Sequence, residues 1–132
     1  MARLYRVILP VPDIERAAAF YGAVLGTPGA RVSPGRHYFA GADDGAILAC
    51  YDPAADGDPG GQDWRHHENQ YLYFAVGDLE AARDRLLAAG AGAVTPIDTL
   101  PWGERMVYAR DPFGTPIAFV DDRTLFTGAD DA

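Results

Sequence analysis

Cysteine is almost absent: Cys50 stands alone among 132 residues. No disulfide can close within the chain, and a reducing, cytoplasmic setting is the expectation. Basic residues are also scarce, with eleven Lys and Arg against nineteen Asp and Glu and a net charge of −8. No basic stripe interleaved with aromatics offsets that balance, which argues against a nucleic-acid partner. No apolar run approaches the roughly 20 residues that cross a bilayer, so no membrane partner is expected. Met1-Ala-Arg-Leu-Tyr-Arg6 leads straight into a strand pattern without a signal-peptide profile. Neither a phosphate-cradling glycine loop nor a Ser or Cys with His at a nucleophile-motif spacing is present. What is there is of ordinary globular composition, 48% hydrophobic and 23% charged, and long enough to enclose a core.

Within it lies a repeat. Arg6-Val-Ile-Leu-Pro-Val-Pro-Asp-Ile-Glu-Arg16 and Tyr71-Leu-Tyr-Phe-Ala-Val-Gly-Asp-Leu-Glu-Ala81 align at an offset of 65 positions. Arg6 falls on Tyr71, Val11 on Val76, Asp13 on Asp78 and Ile14 on Leu79. In each copy an apolar run meets an Asp whose short side chain can accept the free N–H groups of a first helical turn. Ile14, Ala17, Tyr21, Val24 and Leu25 then keep helical spacing up to Gly26, and Leu79, Ala82, Leu86 and Ala89 do so up to Gly90.

The order of elements predicts two modules. Module one, about 4–51, holds a strand over Leu4–Val11, a helix to about Leu25, and strand runs at 31–41 and 46–51 turned by Asp43-Asp-Gly45. A polar connection over 52–69 follows, long for a compact domain. Module two, about 70–120, holds a strand over Gln70–Val76, a helix from Leu79 and strand runs near 93–99, 104–110 and 115–120. Asp111-Pro-Phe-Gly114 fits a type I turn, and 121–132 is an acidic tail in which Thr124-Leu-Phe126 can pack on an edge. Strand runs with helices on one side indicate an α+β fold. Side-chain alternation turns Val7, Leu9, Val11, Leu72, Phe74 and Val76 toward the helices. Arg6, Ile8, Tyr71 and Tyr73 then point to the opposite face, where a concave surface at a module junction would suit a small-molecule ligand.

The strand–Asp–helix pattern, with Phe20-Tyr-Gly-Ala-Val-Leu-Gly26 and Asp111-Pro-Phe-Gly-Thr115, resembles the vicinal oxygen chelate superfamily. That group includes glyoxalase I, extradiol dioxygenases, and fosfomycin- and bleomycin-resistance proteins. The resemblance covers about Tyr5 to Val120 and implies paired βαβββ modules forming a cupped mixed sheet, often as a homodimer. Its enzymes hold a divalent metal through one residue seven before each capping Asp and one on each module's last strand. Carried over, those places fall on Arg6, Tyr71, Ala118 and a position near Cys50. Arg stays protonated and Ala has no donor, so no metal cofactor is expected there.

The ligand-binding candidates are Arg6, Ile8, His37, Phe39, Cys50, Tyr71, Tyr73, Trp102, Glu104, Tyr108 and Ala118. Arg6 could hold a ligand carboxylate or phosphate, or pair internally with Glu104. Trp102 before Gly103 resembles the aromatic wall of the bleomycin-resistance branch, and Trp64 could cover a cleft. The expectation is a metal-free, homodimeric small-molecule-binding protein. Two rival readings are an enzyme with Glu104 or His37 as general base, and a metal held elsewhere through His37 or His66 and His67. Catalytic residues stay unassigned.

Overall fold

The computed structural model describes residues 1–41, 45–58, 65 and 67–127. The Asp43-Asp44 part of the expected turn, Trp64, His66 and the end of the tail from Gly128 lie outside the described residues. The chain divides into two compact units, Met1–His67 and Glu68–Ala132.

In the first unit β1 (Arg6–Pro10) leads into α1 (Ile14–Leu25), followed by β2 (Ala30–Ser33), β3 (Arg36–Phe39) and β4 (Ile47–Tyr51). The sheet order is β1-β4-β3-β2, with β1 parallel to β4 and the other pairs antiparallel. Asp13 caps α1 by accepting from the Arg16 N–H at 3.1 Å. A second carboxylate, Asp52, accepts from the Ile14 N–H at 3.3 Å, so the end of β4 helps start a helix 38 residues upstream. Gly26 ends α1 in the left-handed region (φ 73°), which glycine adopts at low cost. Ile14, Ala17, Phe20, Tyr21 and Val24 are buried, and Tyr21 packs on Phe39 of β3 at 6.3 Å.

The sequence pattern runs β2 and β3 together; the fold divides them at Pro34-Gly35. Gly35 carbonyl accepts from the Asp52 N–H at 2.7 Å, and a Cβ on Gly35 would stand 2.2 Å from the Asp52 carbonyl oxygen. Only glycine allows that approach. Asp56 ties the turn by accepting from Ser33 Oγ (2.8 Å), from Gly35 N–H (2.6 Å) and from Arg36.

The second unit repeats the plan with β5 (Leu72–Val76), α2 (Leu79–Ala88), β6 (Asp98–Thr99), β7 (Arg105–Arg110) and β8 (Pro116–Asp121). Its order is β5-β8-β7-β6, with β5 parallel to β8. Asp78 caps α2 through the Ala81 N–H at 3.0 Å, and Leu79, Ala82 and Leu86 are buried. Phe74 stacks on Phe119 at 5.1 Å on the same side. β6 is shorter than the run at 93–99 suggests. Pro96 has no N–H to donate, and the approach to it is held by single contacts, Gly92 with Arg110 and Thr95 with Tyr108. The Asp111 turn closes as expected, Gly114 N–H donating to the Asp111 carbonyl at 3.1 Å. Asp111 Oδ1 also accepts from Phe113 and Thr115 N–H groups, both at 2.8 Å.

The fold is therefore α+β, two four-stranded mixed sheets each with one helix.

Candidate functional site

Directly paired residues in a sheet project to the same side, so register decides which side chains share a face. In the first unit Ile8, Ala49 and Tyr38 are aligned across β1, β4 and β3, as are Pro10, Tyr51 and Arg36. These stand opposite α1. Leu9, Cys50 and His37 form the next row, and Val7, Leu48 and Phe39 another, both toward the helix.

His37, Phe39 and Cys50 are thus not brought to the open face. Cys50 is fully buried. His37 Nδ1 accepts from Arg31 Nε at 3.2 Å and its Nε2 lies 2.8 Å from the Pro28 carbonyl, which together assign the neutral Nε2–H tautomer. Both ring nitrogens are engaged, one with Arg31 of β2 and the other with Pro28 just before it. The position near Cys50 also moves by one residue. Tyr73 pairs with Ala118 in the second unit, and Ile8, its counterpart at the 65-residue offset, pairs with Ala49.

The open face of the first unit carries Arg6, whose guanidinium lies over the rings of Tyr5 (5.2 Å) and Tyr38 (5.6 Å). Among the described residues of this unit it meets rings and no carboxylate. Arg36 lies over the Tyr51 ring at 4.4 Å, and Tyr51 hydroxyl donates to Asp58 at 2.5 Å. That hydrogen bond, with burial behind it, pushes the Tyr51 phenol up. A hollow of about 100 Å³ lies among Ile8, Arg36, Tyr38, Ala49, Tyr51 and Asp58.

The open face of the second unit is a cluster of tyrosines. Tyr71, Tyr73 and Tyr108 have ring centroids 6.1–6.5 Å apart, with Tyr108 edge-on to both others. Tyr71 and Tyr73 are 46% and 55% exposed, leaving large aromatic surface in water at the edge strand β5. Tyr73 is pushed up to about 12, first by its hydrogen bond with Tyr108, then by burial and neighbouring charge. Ala118 lies fully covered between Tyr73 and Tyr108. Trp102 is half exposed on the loop before β7, and its Nε1 donates to Glu104 Oε1 at 2.7 Å. The other Glu104 oxygen accepts from the Phe126 N–H at 3.1 Å. This link to the tail is invisible in the sequence, because 22 residues separate its ends.

Arg6, Tyr71, Ala49 and Ala118 stand at the four places where the resemblance implies metal ligands. They do not fit a divalent ion: Arg cannot coordinate, Ala has no donor, and one phenol is no set. Among the described residues no three His, Cys, Asp or Glu side chains group to hold a metal.

No helix among the described residues is long and apolar enough to cross a membrane. A lactoylglutathione lyase from Haemophilus influenzae is 25% identical over 134 residues, covering 96% of this chain and 97% of that protein. A glyoxalase/bleomycin resistance protein structure from Albidiferax ferrireducens superposes with TM-score 0.74 at 23% identity, covering 89% of this chain and 97% of its own. The structure of a lactoylglutathione lyase from Agrobacterium tumefaciens gives TM-score 0.67 at 21% identity, with 93% of this chain and 96% of its own covered. These structures share the fold. The family model described as the Glyoxalase/Bleomycin resistance protein/Dioxygenase superfamily matches residues 3–119, and the chain belongs to that superfamily.

Proposed function

We propose that the protein binds a small molecule on its open sheet faces without the metal chemistry of its relatives. The observation that supports this most is the half-exposed Tyr71–Tyr73–Tyr108 cluster. Aromatic surface of that size costs free energy to leave in water, and flat ligands recover it by stacking. Trp102 is assigned to the same face in this reading, Arg6 serves the open face of the first unit, and a homodimer would be its working form. The test is a melting-temperature screen of metabolites and antibiotics with and without a chelator, since a ligand of the native state raises apparent stability. A hit that survives chelation and is lost in Tyr73→Ala supports the reading. Hits that vanish on chelation, or a screen unmoved by Tyr73→Ala, count against it.

The second reading is catalysis, favoured by the names of the two lyase relatives. Glu104 is its available base, since His37 is engaged on the helix side. Assay of lactoylglutathione formation, with and without added divalent ions, decides between the two. No turnover is expected, because the metal positions hold Arg6, Tyr71, Ala49 and Ala118.

A further inference from the structure

We infer that the segment after β8 completes a site in the second unit for a small aromatic cation, with Glu104 as its counter-ion. This rests on reading the open face of that unit as a ligand surface and adds the sign of the ligand's charge.

The segment is fastened at three points. Thr124 N–H donates to the Asp121 carbonyl at 2.9 Å, turning the chain back. Thr124 Oγ1 then accepts from the Arg105 N–H at 3.0 Å, and Phe126 N–H donates to Glu104 Oε2 at 3.1 Å. Leu125 and Phe126 are thereby held against the sheet, yet stay 49% and 58% exposed. Between them and Tyr73, Phe74, Ala75 and Val120 lies a cavity of about 420 Å³, with Glu104 on its wall. That volume suits a small organic ligand.

Among the described residues no cationic side chain pairs with the Glu104 carboxylate. Glu104 accepts from an indole N–H and a backbone N–H, both neutral. A carboxylate offers about four acceptor sites, so capacity remains. Four arginines of the same unit are committed elsewhere: Arg83 to the Thr95 carbonyl, Arg105 to Glu80 and Asp121, Arg110 to the Gly114 carbonyl, and Arg123 to Asp121. The rings of Tyr73 and Phe126 add faces that attract a cation. A cationic guest would add a charge-assisted contact that a neutral guest cannot make, and an anion would be repelled. The net charge of −8 favours the approach of a cation as well.

The test is an NMR titration of the whole chain with benzyltrimethylammonium and, separately, phenylmethanesulfonate. The cation is expected to bind and to move the Trp102 indole N–H and the Phe126 and Tyr73 amides, while the anion leaves them in place. Glu104→Gln should weaken the cation about tenfold or more. Phe126→Ala, which keeps the charge and the backbone anchor, should weaken it severalfold, with both variants checked for folding by circular dichroism. Equal binding of the two probes, unchanged affinity in Glu104→Gln, or no response to the cation would overturn the inference. If the cation fails while other compounds still shift Tyr71, Tyr73 and Tyr108, only the charge assignment falls. If nothing shifts them, the open-face reading falls with it.

Discussion

Asp121 is a buried carboxylate whose ionisation bears on the fold. Its side chain is 3% exposed and is held by Arg123 through Nε (3.0 Å) and a second nitrogen (2.8 Å), with Arg105 at 3.4 Å. The Arg123 hydrogen bonds bring its carboxyl down from 3.8 to about 2, against the pull of burial. A depressed folded value means that Asp121 stabilises the protein above the unfolded value and that this is lost as pH falls from 3.8 toward 2. Glu15, through Arg31, and Glu80, through Arg105, shift in the same direction. Melting temperature should therefore drop steeply below about pH 4. Asp121→Asn should melt lower at pH 7 and show a shallower acid slope in the same scan. Cys50 makes a second residue-scale test. Its complete burial in β4 predicts a thiol that ignores an aromatic disulfide reagent in the native protein and reacts at once in denaturant.

At the scale of elements, the two helices start by the same device. Asp13→Ala and Asp78→Ala should each cost about 1 kcal/mol of stability, measured by urea unfolding. Asp52→Ala should add to the loss at α1, because its Oδ2 serves the Ile14 N–H and its Oδ1 the Ala55 N–H. Gly35→Ala is the harsher change: a backbone oxygen occupies the space of the new Cβ, so the β2–β3 turn must move away from Asp52. Loss of at least about 2 kcal/mol is expected, since the clash is with main chain and no rotamer relieves it. Phe119→Ala, emptying the stack beneath α2, should cost about 3–5 kcal/mol.

On the scale of the whole molecule, the proposed pairing of two chains predicts a light-scattering mass near twice 14.2 kDa, and a value near 14.2 kDa would dismiss it. Both units follow one plan, strand, helix and three strands, and its strand–Asp–helix opening was readable from a 65-residue offset. Helix positions were readable for a local reason. A capping Asp, an apolar series at helical spacing and a closing glycine all act within a few residues of one another, so neighbours in sequence carry the information. The face held by each β1 and β5 residue was readable too, because alternation along a strand needs only one anchor.

Beyond that distance only tertiary pairing could decide. Whether Ala49 or Cys50 stands level with Ile8 depends on how β4 slides along β1, and a shift of one residue would exchange the two faces. The same holds for His37, which alternation alone cannot assign until β3 is set against β4. Glu104 meets Phe126, and Asp52 meets Ile14, through chain reversals whose ends are far apart in sequence. Local chemistry thus specified the helices and the repeat, while strand register, a non-local property, determined which side chains face a ligand.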